Sequence, residues 1–320
     1  MTLIDTHHHF VPDFYAQAVE KAGGDPSGWP TPAWSPEASN SLMEKVGVTK
    51  AILSLTAPGA VIAPTDADRR ALARKANEYA ARLRDEDPAR YGFFAALPSL
   101  LDVEGTLAEI RYSLDFLKSN GVTLFTRYGN GNQYLGDPAF KPIWAELNAR
   151  KAVVFIHPTH PVDTTKVNPL LPQPAIDYPH ETTRTAVDLI ITNTKRSYPD
   201  CKVILSHAGG TLPFLISRLC TYPENSTATI AGKSPEEAME DFRSFYFDLA
   251  LSSSSAVLGL VLETIPHDHL LYGSDFPYAF VDKTLGFKQQ LEKYSMDPEL
   301  RDKIYFKNAQ ALLGDSGKDL

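Results

Sequence analysis

Four histidines and one aspartate stand at the ends of apolar, strand-like segments of this 320-residue chain: His7, His9, His157, His207 and Asp275. Neutral imidazole nitrogen and carboxylate oxygen are both good ligands for zinc-class divalent ions. If the strand ends meet at one edge of a folded domain, these side chains converge whatever their distance in sequence. The residues therefore predict a shared site for a divalent metal ion.

The first two of these residues belong to a run of three histidines in the segment LIDTHHHF. Side chains two apart on an extended strand point to the same side, so His7 and His9 can bind one ion together while His8 points away. Each histidine also has an ordinary interpretation as a hydrogen-bonded core or surface residue, and Asp275 as a turn residue. Their placement at separate strand ends favours the shared metal site.

Eight short apolar segments can supply the strands that position these residues. They are residues 3–7, 50–56, 91–98, 121–126, 152–158, 202–208, 245–251 and 269–275. Longer amphipathic segments lie between them, of which 66–87, 102–120 and 138–151 are the plainest, with Gly121 as the expected helix C-cap residue after the second. Continuous apolar strands that alternate with helices indicate a parallel sheet covered by helices.

Eight such units predict an α/β fold: a single (β/α)8 TIM barrel domain over residues 1–320 with long loops at its C-terminal face. No glycine-rich dinucleotide or phosphate loop follows a strand, which disfavours an open doubly wound sheet. Three connections rich in Pro and Gly, residues 22–40, 126–138 and 158–181, are expected at the C-terminal face, where barrel enzymes carry their active sites.

Composition limits the classes of partner. Apolar residues make up 43% of the chain, enough for a large core, and the net charge of −8 disfavours a nucleic-acid surface. No apolar run is long enough to span a membrane, and the first strand leaves no room for a signal peptide. Cys201 and Cys220 form neither a disulfide framework nor a metal motif. We expect a cytoplasmic protein with no membrane or nucleic-acid partner.

The segments IDTHHHF, VFIHP, ILSHAGG and YGSDFP, taken in this order, resemble the amidohydrolase-related family that contains aminocarboxymuconate-semialdehyde decarboxylase and several ortho-hydroxybenzoate decarboxylases. The resemblance runs from the first strand to about residue 310. It implies one catalytic divalent ion per chain, Zn²⁺ or alternatively Mn²⁺, held by four residues: His7, His9, His157 and Asp275. It implies a proton-handling role for His207.

The segment HAGGTLPFLISR resembles the family's sixth strand–helix unit, which implies a homodimer in which Arg218 reaches the neighbouring active site. One branch of the family has Glu-x-His on the first strand, where this chain has His-x-His. The carboxylated lysine of binuclear members is absent from LFTRYG at the end of the fourth strand, which favours a single ion. Within the family, the chain length and the run HHHF…AWSPE…SLTAPG look most like the 6-methylsalicylate decarboxylases.

The resemblance therefore implies a carboxy-lyase that removes CO2 from a small aromatic or unsaturated acid, with 6-methylsalicylate to 3-methylphenol as the specific expectation. Asp275 is the candidate proton donor to the ring carbon, assisted by His207. Trp34, Phe276 and Tyr278 are candidates for an apolar ring pocket, although ordinary packing explains them equally well. Two alternatives stay open: a metal-dependent lactone or amide hydrolase with the same ligands, and a catalytically silent barrel.

Overall fold

The computed structural model describes residues 2–221 and 232–314, and eight parallel strands form its central sheet. The strands are β1 Ile4–Phe10, β2 Lys50–Leu55, β3 Tyr91–Ala95, β4 Gly121–Phe125, β5 Val153–His157, β6 Lys202–Leu205, β7 Tyr246–Asp248 and β8 Leu270–Leu271. Each strand pairs in parallel with the next one along the chain. Chain order and spatial order are therefore the same.

The sheet curves until its two edge strands nearly meet. The Thr6 N–H donates to the carbonyl of Tyr272 at 3.0 Å, and the His9 N–H donates to the carbonyl of Phe276 at 2.7 Å. These bonds join β1 to the chain that follows β8, and we call this junction the seam. The architecture is the predicted (β/α)8 barrel, with helices around the strands.

The helices surround the strands, most of them on the outer face of the barrel and the last with Ala309 in the interior cluster. They are α1 Asp13–Lys21, α2 Pro36–Val46, α3 Asp66–Glu86, α4 Val103–Arg111, α5 Lys141–Ala149, α6 Asp177–Ile191, α7 Thr194–Ser197, α8 Leu212–Leu215, α9 Ser217–Cys220, α10 Pro235–Arg243, α11 Ser255–Thr264, α12 Val281–Lys293, α13 Pro298–Asp302 and α14 Asn308–Leu313. No helix among the described residues has both the length and the apolar character needed to cross a bilayer.

Local sequence explains several helix starts. At α2 the hydroxyl of Ser35 accepts from the Ala38 N–H, and Pro36 occupies the first helical position. At α10 the Ser234 hydroxyl and the Glu237 carboxylate each bond the other's backbone N–H. These side chains satisfy amide groups that the first turn leaves without partners.

The prediction that Gly121 caps the helix over 102–120 is wrong. The α-helix ends at Arg111 and continues as a π-helical turn over Tyr112–Phe116, and Gly121 is the first residue of β4. A Cβ atom on Gly121 would lie 2.3 Å from the carbonyl oxygen of Val153 on β5. This glycine is therefore explained by close strand packing and not by a helix end.

Several predicted strands are shorter in the structure, and two of them end before a candidate site residue. The segment 202–208 ends as a strand at Leu205, because His207 and Ala208 have φ of +55° and +54° and turn the chain. The segment 269–275 is a strand only at Leu270–Leu271. In both cases the residues lost from the strand form the loop that carries a candidate site residue.

Apolar side chains fill the barrel below its C-terminal mouth. A buried cluster includes one or more residues from six of the strands: Ile4, Ile52, Phe94, Val153, Phe155, Ile204 and Leu271. A larger cluster lies between the strands and the helices. Phe155 stands directly beneath the mouth, with its ring 5.0 Å from that of His7. The polar residues above it therefore rest on a packed apolar floor.

Candidate metal centre

Four of the predicted site residues converge at the mouth of the barrel, although they come from β1, β5 and the loop after β8. The Nε2 atoms of His7 and His9 are 3.1 Å apart, and the Oδ1 atom of Asp275 lies 3.3 Å from each. With His157 included, one ligand atom from each residue lies within 4.8 Å of all the others. All four residues are buried.

The orientation of the three imidazole rings fits a metal ion. In each ring the Nδ1 atom faces an oxygen acceptor: Asp248 Oδ2 at 3.0 Å from His7, the Ser54 carbonyl at 3.3 Å from His9, and the Pro158 carbonyl at 2.7 Å from His157. A proton on Nδ1 leaves the Nε2 lone pair of the neutral ring for a ligand, and metal-binding histidines are oriented in this way. The donor set, three imidazoles and one carboxylate, suits a zinc-class ion.

The charges of these groups are strongly coupled. Burial lowers the pKa of His7, but the carboxylates of Asp248 and Asp275 outweigh it and raise that pKa to about 10. Burial lowers the pKa of His9, and it lowers the pKa of His157 more strongly. Although burial disfavours its charge, hydrogen bonds from His7 and His9 hold the pKa of Asp275 well below its usual value. Without a cation, a proton on His7 therefore lies among the four ligands.

Backbone strain is concentrated at the same place. Asp275 has a φ of +61° and His207 a φ of +55°, in the left-handed region that residues other than glycine rarely adopt. The Asp275 N–H donates to the carbonyl of His7 at 2.9 Å, which holds this strained residue against β1. Such conformations persist where the surrounding structure enforces them, and they are typical of functional sites.

His207 lies beside the four-residue cluster. Its ring centre is 4.8 Å from that of His7 and 6.2 Å from that of His157. Its Nδ1 atom faces the carbonyl of Ala250 at 3.0 Å, and its side chain lines an adjoining cavity. This position suits a group that meets a substrate.

The sequence interpretation missed Asp248, the last residue of β7. Its Oδ2 atom accepts from His7 Nδ1, and its Oδ1 atom accepts from the backbone N–H groups of His207 and Ala250 at 3.1 and 3.0 Å. His7, His207 and Asp248 also bring ligand atoms within 4.8 Å of one another. These hydrogen bonds explain that proximity without a second ion. A lone acid within the apolar segment FYFDLAL was the available signal.

A cavity of about 360 Å³ opens onto this cluster. His157, His207 and Asp275 lie in its wall. Its other polar lining residues are Asp25, Ser27, Thr56, Tyr178, Ser252, Tyr278 and Lys283. Apolar side chains, including Trp29, Pro172, Leu251 and Phe287, complete the wall. The predicted loops 22–40 and 158–181 therefore both contribute to the cavity.

The structure does not bring Trp34 and Phe276 to this cavity. Trp34 is buried in the outer core against Phe10 and Tyr79, with ring centres 6.2 and 6.3 Å away. The ring of Phe276 packs against His8 at 5.2 Å on the outer side of β1. The segment before α2 carries Trp29 to the cavity instead, and Tyr278 lies in the wall.

Arg218 is exposed on the short helix α9, and it is not among the residues that line the cavity of this chain. Large apolar side chains of the described residues are also exposed. Phe214 on α8 and Phe280 before α12 are 72% and 70% exposed, and Leu170 in the long loop after β5 is 93% exposed. These side chains lie within a few residues of cavity-lining positions.

Comparison with known proteins gives a consistent family. The amidohydrolase family model matches residues 4–314. A 6-methylsalicylic acid decarboxylase from Penicillium expansum is 51% identical over 304 residues, which are 95% of this chain and 94% of that protein. The crystal structure of an amidohydrolase II protein is 30% identical, with a TM-score of 0.88 and coverage of 97% of this chain and 99% of the other.

A more distant likeness, 22% identical, concerns the fold alone. The dihydroxybenzoic acid decarboxylase of Polaromonas sp. JS666, solved with manganese and 2-nitroresorcinol, has a TM-score of 0.81 and coverage of 98% of this chain and 96% of the other. The barrel, the His/Asp cluster at its mouth and the family match agree with one another. This chain belongs to the amidohydrolase family.

Proposed function

We propose that this protein is a carboxy-lyase that uses one divalent metal ion to remove CO2 from a small ortho-hydroxybenzoate-type acid, with 6-methylsalicylate as the first candidate. The observation that carries the proposal is the cluster of three imidazoles and one carboxylate at the end of a cavity of about 360 Å³. The 51% identity to a 6-methylsalicylic acid decarboxylase supports the choice of substrate.

Four residues would hold the ion: His7, His9, His157 and Asp275. When bound, the ion supplies a positive centre that orients an aromatic acid and stabilises negative charge on its oxygen atoms. Zn²⁺ is our first candidate and Mn²⁺ the alternative, because both accept this set of nitrogen and oxygen ligands. The nearby Lys283 adds positive charge to the cavity wall and so favours an anionic ligand.

Removal of CO2 from an aromatic ring requires a proton at the carbon atom that bears the carboxylate. The bond from that carbon to CO2 breaks after the new C–H bond forms, and the electron pair returns to the ring. The overall change is one carboxylate and one proton to one arene and one CO2. The protein must therefore place a proton donor beside the ring.

Asp275 is our candidate for this donor. Its low pKa means that it is ionised before the reaction. It must therefore first accept a proton and then donate that proton to the ring carbon. A substrate hydroxyl group is one source of that proton, and the phenolate oxygen that it leaves regains a proton from solvent. His207 lines the same cavity with its Nδ1 atom directed at the Ala250 carbonyl, so the Nε2 atom of the neutral ring is the one available for proton exchange.

We further propose that the enzyme acts as a homodimer in which Arg218 reaches the active site of the neighbouring subunit. Arg218 is exposed, and the exposed apolar residues Leu170, Phe214 and Phe280 lie within a few residues of cavity-lining positions in the sequence. A cytoplasmic location is part of the same proposal and accords with two free cysteines. Size-exclusion chromatography with light scattering tests the dimer, and a loss of turnover in Arg218→Ala without a loss of metal tests the role of the arginine.

Hydrolysis of a lactone or amide would use the same ligands, so the ligands alone do not separate the two reactions. The decarboxylase names of the similar proteins favour CO2 release. The chemistry differs in its products, since hydrolysis yields a ring-opened acid or a free amine and no CO2.

The decisive experiment measures metal content by elemental analysis and CO2 release from a panel of ortho-hydroxybenzoates on the same preparation. We expect about one zinc or manganese per chain and CO2 from 6-methylsalicylate. His157→Ala should lose both, whereas His180→Ala, which changes an exposed histidine outside the cavity lining, should keep both. One ion per chain with no CO2 from any acid would refute the decarboxylase and support the hydrolase.

A further inference from the structure

The middle histidine of the HHH run lies in a buried chain of hydrogen bonds on the outer side of β1. His8 Nδ1 is 2.9 Å from Asp5 Oδ2, and His8 Nε2 is 2.6 Å from the hydroxyl of Ser39 on α2. All three residues are fully buried. Because the carboxylate accepts, Nδ1 carries a proton, and in the neutral ring Nε2 accepts the Ser39 hydroxyl proton.

The hydrogen bond between Asp5 and His8 spans a bulge in β1. Asp5 pairs with Ala51 on β2, but the next paired residue, His8, stands opposite Leu53. β1 therefore advances by three residues where β2 advances by two, so β1 contains one extra residue. The extra residue places Asp5 and His8 on the same side of the strand, where their side chains meet.

The bulge determines which histidines face the site. Ile4 belongs to the cluster that fills the barrel interior. On a regular strand the residues that share its face would be Thr6 and His8. Because of the extra residue, the side chains of His7 and His9 point to the barrel interior instead. They supply two Nε2 atoms to the metal cluster. A shift of the β1 register by one residue would turn every later side chain of the strand to the opposite face.

Asp5 also holds the two sides of the seam together. Its Oδ1 atom accepts from the backbone N–H of His7 at 3.1 Å and from the backbone N–H of Ser274 at 3.0 Å. The first amide belongs to a candidate metal ligand, and the second belongs to the residue before Asp275. One carboxylate thus fixes the backbone beside ligands that come from opposite ends of the chain and meet at the seam.

We propose that His8 is a positioning residue, which, through Asp5 and Ser39, fixes the bulge that turns His7 and His9 toward the metal and sets their distance from Asp275. This inference rests on the proposed metal site. His8 does not contact the ion or the substrate, since its ring lies on the outer side of the strand. Its function is exerted through the backbone of β1 and the seam.

Three variants test this role. His8→Leu removes both hydrogen bonds and leaves Asp5 Oδ2 buried without its donor. His8→Asn keeps an N–H in the place of Nδ1 and so restores the contact with Asp5. Of these hydrogen bonds, Ser39→Ala removes only the one between Ser39 and His8. Ser113→Ala is the matched control, because Ser113 is also fully buried and hydrogen-bonded but lies on the turn after α4.

Two measurements that do not depend on decarboxylation give the answer. The first is the Zn²⁺ dissociation constant by chelator competition, and the second is the visible absorption spectrum of the Co²⁺-loaded protein, which reports ligand geometry. We expect His8→Leu to weaken Zn²⁺ binding about ten-fold or more and to change the Co²⁺ spectrum, as loss of a residue that orients ligands does. His8→Asn should recover most of the affinity.

Each other outcome is decisive. A folded His8→Leu protein with wild-type Zn²⁺ affinity and Co²⁺ spectrum would overturn the positioning role and leave His8 as a stabilising contact. If His8→Leu does not fold, Ser39→Ala decides: weaker binding than in Ser113→Ala supports the role, and equal binding overturns it. Wild-type protein that binds neither ion would instead refute the proposed metal site, so the two failures are distinguishable.

Discussion

The Nε2 atoms of His7 and His9 lie 3.1 Å apart in a fully buried part of the barrel. Two nitrogen lone pairs at this distance repel each other unless a proton or a cation lies between them. The carboxylates of Asp248 and Asp275 overcome the effect of burial and raise the pKa of His7 to about 10, so the proton is present when the cation is not. Metal binding is therefore an exchange of a cation for a proton.

This exchange predicts the pH dependence of metal binding. Below pH 10 His7 holds a proton that the ion must displace, while the lowered pKa values of His9, His157 and Asp275 leave those groups ready to bind. The apparent affinity should rise with pH, about ten-fold per unit between pH 7 and 8, because one proton is released. Calorimetry in buffers of different ionisation enthalpy should detect about one proton per ion.

Asp248→Asn is the control for that measurement. The substitution removes one of the two charges that raise the pKa of His7, so fewer protons should be released and the affinity should depend less steeply on pH. At pH 9, close to the pKa of His7 in the wild type, equal proton release in the two proteins would contradict the assignment of the proton to His7.

The apolar floor of the site should contribute strongly to stability. Phe155 is fully buried between His7 and Phe94, with ring centres 5.0 and 5.6 Å away. Phe155→Ala should lower the free energy of unfolding by about 3–5 kcal/mol, as cavity-forming truncations do. Phe116→Ala, at a side chain 75% exposed, should change it by less than about 0.5 kcal/mol. Urea unfolding of the two variants would show no such difference if the floor were loosely packed.

Gly210 permits the close approach of the turn after β6 to α6. Its φ is +65°, and a Cβ atom there would lie 2.0 Å from the carbonyl oxygen of Pro179. Gly210→Ala should cost about 2–4 kcal/mol of stability and displace the turn that holds His207. Gly286→Ala is the matched control, because that residue lies within α12 with open space around it and should gain up to about 1 kcal/mol. Similar melting temperatures in both variants would contradict this explanation.

Lys283 should assist the capture of an anionic substrate. It is exposed at the start of α12 and lines the cavity. Lys283→Gln should lower kcat/KM about three-fold at low ionic strength, and the difference should vanish in 1 M salt, where the Debye length is about 3 Å. Lys293→Gln, exposed at the other end of the same helix and outside the cavity, should behave as wild type. A salt-independent loss would indicate a direct contact with the substrate instead.

The main features of the fold could be predicted because they depend on local patterns. Each barrel strand is a short apolar run between amphipathic segments, and parallel strands must bring their C-terminal ends together. This logic placed His7, His9, His157 and Asp275 near one another without knowledge of the loops. The structure agrees with that convergence to within 4.8 Å.

The features that escaped prediction depend on contacts distant in sequence. The bulge in β1 follows from its pairing with β2 and from the bonds that Asp5 makes, and nothing in the spacing of the histidines reveals it. Trp34 is buried because α3 supplies Tyr79 as a neighbour, and the path of the loop before α2 decides that contact. Asp248 was overlooked because a lone acid in a strand is ambiguous until its partner is known.

The seam also has a consequence for how the protein reaches its native state. Asp5 and Ser274, whose hydrogen bond crosses the seam, are 269 residues apart in sequence. Pairing of such remote residues carries a high loop-closure cost, so we expect it to form late in folding. The ligand cluster draws on both sides of the seam and exists only in the closed barrel. A bound ion would therefore raise the free energy of opening the barrel, because it binds only the closed form and not a form in which the first and last strands have separated.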